Sequence, residues 1–169
     1  HHHMILVSHR GNINGPKPEL ENTPEYIIKA INLEYDVEID VWYVDGKYFL
    51  GHDKPTHEVP LYFLKHESLL LHLKDIETFK QLSKIKNLHW FYHESEKIVL
   101  TSKGYVLGLI GLTIPGTIVN QPDNSDFLDD NSLYQGILAD NIGEYRLKLK
   151  EKHNANSRRT LPKLDFSIH

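Results

Sequence analysis

The chain has 169 residues, no cysteine and a formal net charge of −4, with 19 Lys and Arg against 23 Asp and Glu. That length fills one core and falls short of two ordinary domains. The missing thiols exclude disulfides and thiolate metal sites, and an acidic balance without a long basic run speaks against a general nucleic-acid binder. His1 to His3 before Met4 read as the remnant of an expression tag, which leaves the other histidines to be explained. No apolar stretch reaches the length of a membrane span, so a cytoplasmic protein is expected.

Met4 to Ser8 is a short apolar strand bounded by His9-Arg10-Gly11. Ile5, Val7 and His9 share one face, so a buried strand delivers His9 inward at its C-terminal end. Asn12 to Leu20, broken by Gly15, Pro16 and Pro18, reads as a loop. Thr23 as N-cap, Pro24 at the first helical position and Glu25 then open a helix, with Ile27, Ile28 and Ile31 as its apolar stripe and an end near Leu33. The next stretch, DVEIDVWYVDGKYFLGHD from Asp36 to Asp53, is the most informative in the chain. Val37, Ile39 and Val41 alternate with Glu38, Asp40 and Trp42, which puts both carboxylates on one face of a strand, about 7 Å apart at their Cα atoms. Asp45-Gly46 suits a type I′ hairpin turn, and the return strand Lys47 to Leu50 leads into Gly51-His52-Asp53. Paired acids suit a hard cation and a nearby imidazole suits proton transfer, so the stretch points to metal-assisted acid/base chemistry.

Strand, helix and strand in this order make a βαβ unit with a right-handed crossover and a parallel sheet. Leu69 to Lys74 continues as a third strand, Asp75 caps a helix carrying Ile76, Phe79, Leu82 and Ile85, and Leu88 to Tyr92 is a fourth strand ending in His93-Glu94-Ser95-Glu96. Ile98 to Leu100, Tyr105 to Ile110, Thr117 to Asn120 and Gly136 to Ala139 are short strands separated by Gly and Pro turns. Asp126 to Leu133 is at most a short helix, Glu144 to Lys152 a terminal one, and 154–169 a tail with little pattern. The expected fold is α/β, a compact (β/α)8 TIM-type barrel with reduced helices in its second half, built as one domain over 4–153 and well below the roughly 250 residues usual for such barrels. On that scaffold His9, Glu38, Asp40, His52, His72, Lys74, Glu94 and Asp140 gather at or near the C-terminal strand ends, the catalytic face of a barrel. His57, His66, His89 and His153 lack such a context and read as surface or structural. Arg158-Arg159 reads as a solvated tail pair.

HRGN at 9–12, ENTPEYIIKAI at 21–31, EIDVW at 38–42 with DG following, and GHD at 51–53 resemble, in order and spacing, the N-terminal half of the glycerophosphodiester phosphodiesterase family. LHLKD at 71–75 and ILADNI at 137–142 extend the likeness weakly, and HESEKIVLTSKGYVLG is similar to a compact branch of this PLC-like phosphodiesterase superfamily. The resemblance implies a metal-dependent hydrolase of lipid metabolism that converts a small glycerophosphodiester-like substrate to an alcohol and a phosphomonoester. It makes His9 and His52 the general acid/base pair, Arg10 and Lys74 the phosphate ligands, Glu38 and Asp40 the metal ligands, and Glu21 a wall of the site. Trp42 either packs against substrate or fills space beside its strand.

One departure stands out. The family presents Glu-x-Lys on the third strand, whereas His72 and Lys74 occupy those positions here, so the third carboxylate is missing. His72, Glu94 from the next strand, or water completes the shell. Two carboxylates with water suit Mg2+ or Ca2+, and imidazole in the shell moves the preference towards Mn2+ or Zn2+. His72 and the shortened second half also motivate two rivals: a catalytically idle relative that binds a phosphorylated metabolite or polysaccharide precursor, and a sugar-phosphate-processing enzyme using the same metal. The oligomeric state stays open, a homodimer included.

Overall fold

Alternating and continuous apolar runs set the elements, and a computed structural model describes them for residues 4–160, with side chains to residue 156. His1 to His3 and 161–169 lie outside the described residues, as do the side chains of Arg158 and Arg159. β1 (Ile5–His9), α1 (Pro24–Asn32) and β2 (Asp36–Val44) form the expected βαβ unit, with β1 and β2 parallel and His9 beside Glu38. Thr23 precedes α1 as expected but makes no side-chain cap, because its Oγ1 donates to Leu20 O at 2.7 Å. Asp45 and Gly46 have φ of 50° and 79°, the positive values a type I′ turn requires. The return strand β3 (Lys47–Leu50) pairs antiparallel with the end of β2.

β4 (His57–Val59) and α2 (Leu61–Leu64) follow. Neither was expected, since three or four residues beside Pro60 carry too little periodicity to read. β5 (Leu69–Leu73) lies parallel to β2, and α3 (Ile76–Leu82) begins where the Asp75 carboxylate accepts from Thr78 N at 2.8 Å. The remaining strands are short: β6 (Trp90–Phe91), β7 (Ile98–Leu100), β8 (Val106–Gly108), β9 (Ile118–Asn120) and β10 (Gly136–Ala139). A 3-10 segment (Asp126–Leu133) precedes β10, and α4 (Ile142–Thr160) runs into the stretch expected to be patternless.

These strands form one mixed sheet of ten, in the order β4-β3-β2-β1-β10-β9-β8-β7, with β5 on β2 and β6 on β5. This corrects the expected (β/α)8 barrel. Three pairs are antiparallel, only five helical segments occur among the described residues, and no strand pair there joins β6 to β7. The reason is length: β6 to β9 hold two or three residues each, too few ladder bonds to close a barrel, and short connections without a helix stand where crossover helices were needed. At the open seam Ser102 bridges instead, its N–H donating to Trp90 O at 2.8 Å and its hydroxyl to Leu88 O at 3.2 Å.

Three apolar clusters fill the structure. Ile39, Leu71 and Leu82 belong to one between β2, β5, α1 and α3. Val119, Ile137 and Ile142 belong to another under α4. The third, Val7, Leu70, Phe91, Leu107, Ile118 and Leu138, lies on the inner sheet face and draws on strands from across the sheet, so the sheet must curl for them to meet. Successive side chains on one strand face are two residues apart. One step beyond this layer therefore come His9, His72, His93, Asn120 and Asp140, a polar storey resting on an apolar one.

Candidate active site

The inner row of β2 is acidic at Asp36, Glu38 and Asp40, and the last two reach the polar storey. Glu38 is 3% exposed and Asp40 fully buried. With His72 across the β2/β5 ladder, opposite Asp40, they offer three donor atoms within 4.8 Å of one another, a spacing one cation can bridge. His72 Nδ1 lies 3.1 Å from Asp40 Oδ1 and 3.7 Å from Glu38 Oε2, while the rings of His72, Phe91 and His93 stack against one another in a triangle. Asp40 Oδ2 accepts from Asn22 Nδ2 at 2.8 Å and sits 3.1 Å from Arg10 Nε, an ion-pair distance with poor hydrogen-bond alignment. Lys74 Nζ stands 3.7 Å from Asp40 Oδ1. Glu38 Oε1, by contrast, is buried without any hydrogen-bond partner.

Those contacts separate the two acids. Burial, then the Asp40 charge, pushes Glu38 up to about 7. Burial would raise Asp40 as well, yet hydrogen bonds from His72 and Asn22 and the Arg10 charge hold it well below the usual carboxylate range. Burial, partly offset by the Asp40 hydrogen bond, depresses the His72 pKa, which favours the neutral ring a cation needs as a ligand.

At the far side, His9 Nδ1 lies 2.7 Å from Asp140 Oδ1 and 3.0 Å from Gln121 Nε2. A carboxylate only accepts, so Nδ1 carries the proton to Asp140 and Nε2 is left facing Glu38 Oε1 at 3.7 Å. Burial opposes the imidazolium, and the Asp140 hydrogen bond with the Glu38 charge outweighs it, raising the His9 pKa. Asn12 Nδ2 donates to Asp140 Oδ1 at 2.8 Å and fixes the carboxylate.

The backbone is strained at this site. Arg10, Asn22 and Gln121 have φ of 60°, 61° and 47°, a region that costs non-glycine residues on the order of 1 kcal/mol or more. Arg10 N donates to Glu38 O at 2.8 Å and Asn22 N to Arg10 O at 3.1 Å, which strap these turns to β2.

A cavity of about 360 Å3 opens above the cluster and is lined by His9, Arg10, Glu38, His52, His72 and Lys74 among others. His52 is thereby brought in, half-exposed, with Nδ1 2.8 Å from Asp53 Oδ1. Trp42 does not line this cavity. Its Nε1–H donates to Gly51 O at 2.6 Å and so holds the turn that carries His52. At Gly51 a Cβ would run into Lys54 O, so the tight turn needs glycine. Glu21 Oε1 takes Arg10 NH1 at 3.2 Å and borders an adjoining cavity that Arg10 and His52 share. Glu94 is not brought to the Glu38, Asp40 and His72 cluster: its exposed carboxylate accepts from Tyr92 OH at 3.1 Å, and Glu96 and Lys97 line the cavity instead.

The sequence reading missed Asn22, Asn12, Gln121 and His93 as site residues. Asn12 and Asn22 sit inside stretches already singled out, and Gln121 and His93 each follow a strand by one or two residues. The strand-end rule that flagged Glu94 extends to both.

The chain matches no protein-family model, no curated protein and no solved structure. Its chemistry therefore rests on the geometry above. No described helix is long and apolar enough to cross a membrane.

Proposed function

We propose that the chain is a metal-dependent phosphodiesterase acting on a small glycerophosphodiester-like substrate and releasing an alcohol and a phosphomonoester. The observation that carries this reading is Glu38 Oε1, a buried carboxylate oxygen with no donor, inside a three-residue cluster that faces a cavity bearing imidazoles, a guanidinium and an ammonium. An unpaired buried acceptor is destabilising, and a cation relieves it. Glu38, Asp40 and His72 would hold the ion, and with imidazole among the donors Mn2+ or Zn2+ competes with Mg2+ or Ca2+. When bound, the ion supplies Lewis-acid charge at the phosphoryl oxygens.

The protein's own groups do the rest. Arg10 and Lys74 neutralise the phosphate. His9, oriented by Asp140, and His52, oriented by Asp53, each present Nε2: one takes the proton from the attacking oxygen, and the other returns a proton to the alkoxide as its bond to phosphorus breaks. The attacking oxygen belongs to water or to a neighbouring substrate hydroxyl.

A second reading, binding of a phosphorylated ligand without turnover, draws on one observation. Asp40 already has Arg10, Asn22, His72 and Lys74 around its two oxygens. The deciding experiment is phosphomonoester release from a panel of glycerophosphodiesters with Mg2+, Ca2+, Mn2+ or chelator. Metal-dependent turnover lost in both Glu38→Ala and His52→Ala supports the enzyme. Retained ligand binding with no turnover above the variants supports the binder.

A further inference from the structure

The cavity has two walls of opposite chemistry. Arg10, Lys74 and the histidines make one, while Val99, Leu107, Leu138, Leu109 and Ile110 make the other. This apolar wall is continuous from the interior to the solvent: Leu138 is 2% and Leu107 5% exposed, whereas Leu109 is 37% and Ile110 67% exposed at the mouth. Its outer part carries no charge, since every residue from Tyr105 to Gln121 is neutral, and the charged lining residues Glu96 and Lys97 lie on the other strand connection, before Val99. An ion-binding floor accounts for the polar wall, but a phosphodiester with two small polar substituents leaves the apolar wall in contact with water.

We infer that the substrate is amphiphilic, a phosphodiester bearing one apolar chain that leaves the cavity along Leu107, Leu109 and Ile110 while its phosphate lies at Arg10 and Lys74. This rests on the phosphodiesterase reading and names its substrate class. The occupant follows from continuity, because Leu109 and Ile110 line the catalytic cavity itself as well as its rim. The volume of about 360 Å3 lies at the small end of ligand sites, which suits a headgroup inside and a chain continuing over the lip.

The test compares two phosphodiesters with one glycerol-phosphate-ethanolamine headgroup, one bare and one carrying an octyl ether on the glycerol, used below its micelle concentration. The chained substrate is expected to have the higher kcat/KM by about tenfold or more, and Ile110→Asp to lower the ratio of the two values about tenfold, in line with removing a few methylenes from an apolar surface. Ile110→Ser, with folding checked by circular dichroism, should move the ratio in the same direction. Equal kcat/KM for the two substrates overturns the chain subsite and leaves the phosphodiesterase standing. With turnover of neither, the hydrolytic reading fails, and calorimetric binding decides the subsite: tighter binding of the chained diester, weakened by Ile110→Asp, supports it, and no difference overturns it. A dimer in sedimentation that Ile110→Asp converts to monomer, with the substrate ratio unmoved, also overturns it and makes the lip a self-association face.

Discussion

The two halves of this sheet solve the same packing problem differently. From β1 to β5 the strands are backed by α1 and α3, and Ile39, Leu71 and Leu82 fill the layer between. From β6 to β9 the strands hold two or three residues and carry no α-helix between them. Rigid, helix-backed strands hold the acids, His72 and Lys74, where small displacements matter most. The thin half supplies the apolar wall and the loops around the cavity mouth, where chemistry tolerates variation.

The largest expected effects fall on the acidic face. Glu38→Ala should lower turnover by roughly a thousandfold, and His9→Ala or His52→Ala by roughly a hundredfold to ten-thousandfold, as measured by phosphomonoester release at saturating metal. Comparable losses from substitutions on the outer face of β7 would erase the contrast between the halves. Next comes the core: Leu71→Ala, at a fully buried position, should cost about 2–5 kcal/mol in urea unfolding. Leu133→Ser, at a position 48% exposed at the end of the 3-10 segment, should stay within about 0.5 kcal/mol.

The open seam predicts a pH dependence. His89 Nε2 lies 2.6 Å from Thr101 Oγ1 across the gap between β6 and β7, and burial, then the Lys103 charge, holds the imidazole down to about 4. An unfolded histidine takes its proton near 6.5, so between these values the unfolded chain binds more protons and stability falls as pH falls. The contribution is complete above about 6.5 and lost on descent to about 4. Partial exposure limits it to on the order of 1–2 kcal/mol. Urea midpoints across this range should show a shallower slope for His89→Gln than for the wild type.

The smallest effect separates two helix starts. Asp75→Ala removes bonds to Thr78 N and Oγ1 at 2.8 and 2.6 Å and should cost about 1 kcal/mol. Thr23→Ala, which removes no side-chain cap, should cost only a few tenths by the same scale. Equal losses would show that α1 is capped in solution as α3 is.

These contrasts mark what the sequence makes legible. Period-two alternation in β2 places Glu38 and Asp40 together, and the shared parity of Val7 and His9 carries the imidazole to them; both rest on local geometry. The Asp45-Gly46 turn and the Asp75 cap are equally local. Closure of the sheet is not, since it depends on how many ladder bonds strands such as Trp90–Phe91 can form with a partner far along the chain. Counting each apolar run as a barrel strand overlooked that requirement. Asn22 and Asn12 were missed for a related reason. Their importance lies in turns with positive φ that bring distant carboxylates within hydrogen-bond reach, and no periodicity reports such a turn. Glu94 followed the strand-end rule, yet its side chain turns to Tyr92, two residues away.

Glu38, Asp40 and His72 are proposed to hold one cation, which would relieve the unpaired Glu38 carboxylate. Titration of the tag-free protein with Mn2+, followed by the electron paramagnetic resonance of the free ion, tests this without reference to any substrate. One equivalent bound by the wild type and at least about tenfold weaker binding by Glu38→Gln is the result the site predicts. No binding up to millimolar Mn2+, or an affinity that Glu38→Gln leaves unchanged, would contradict it.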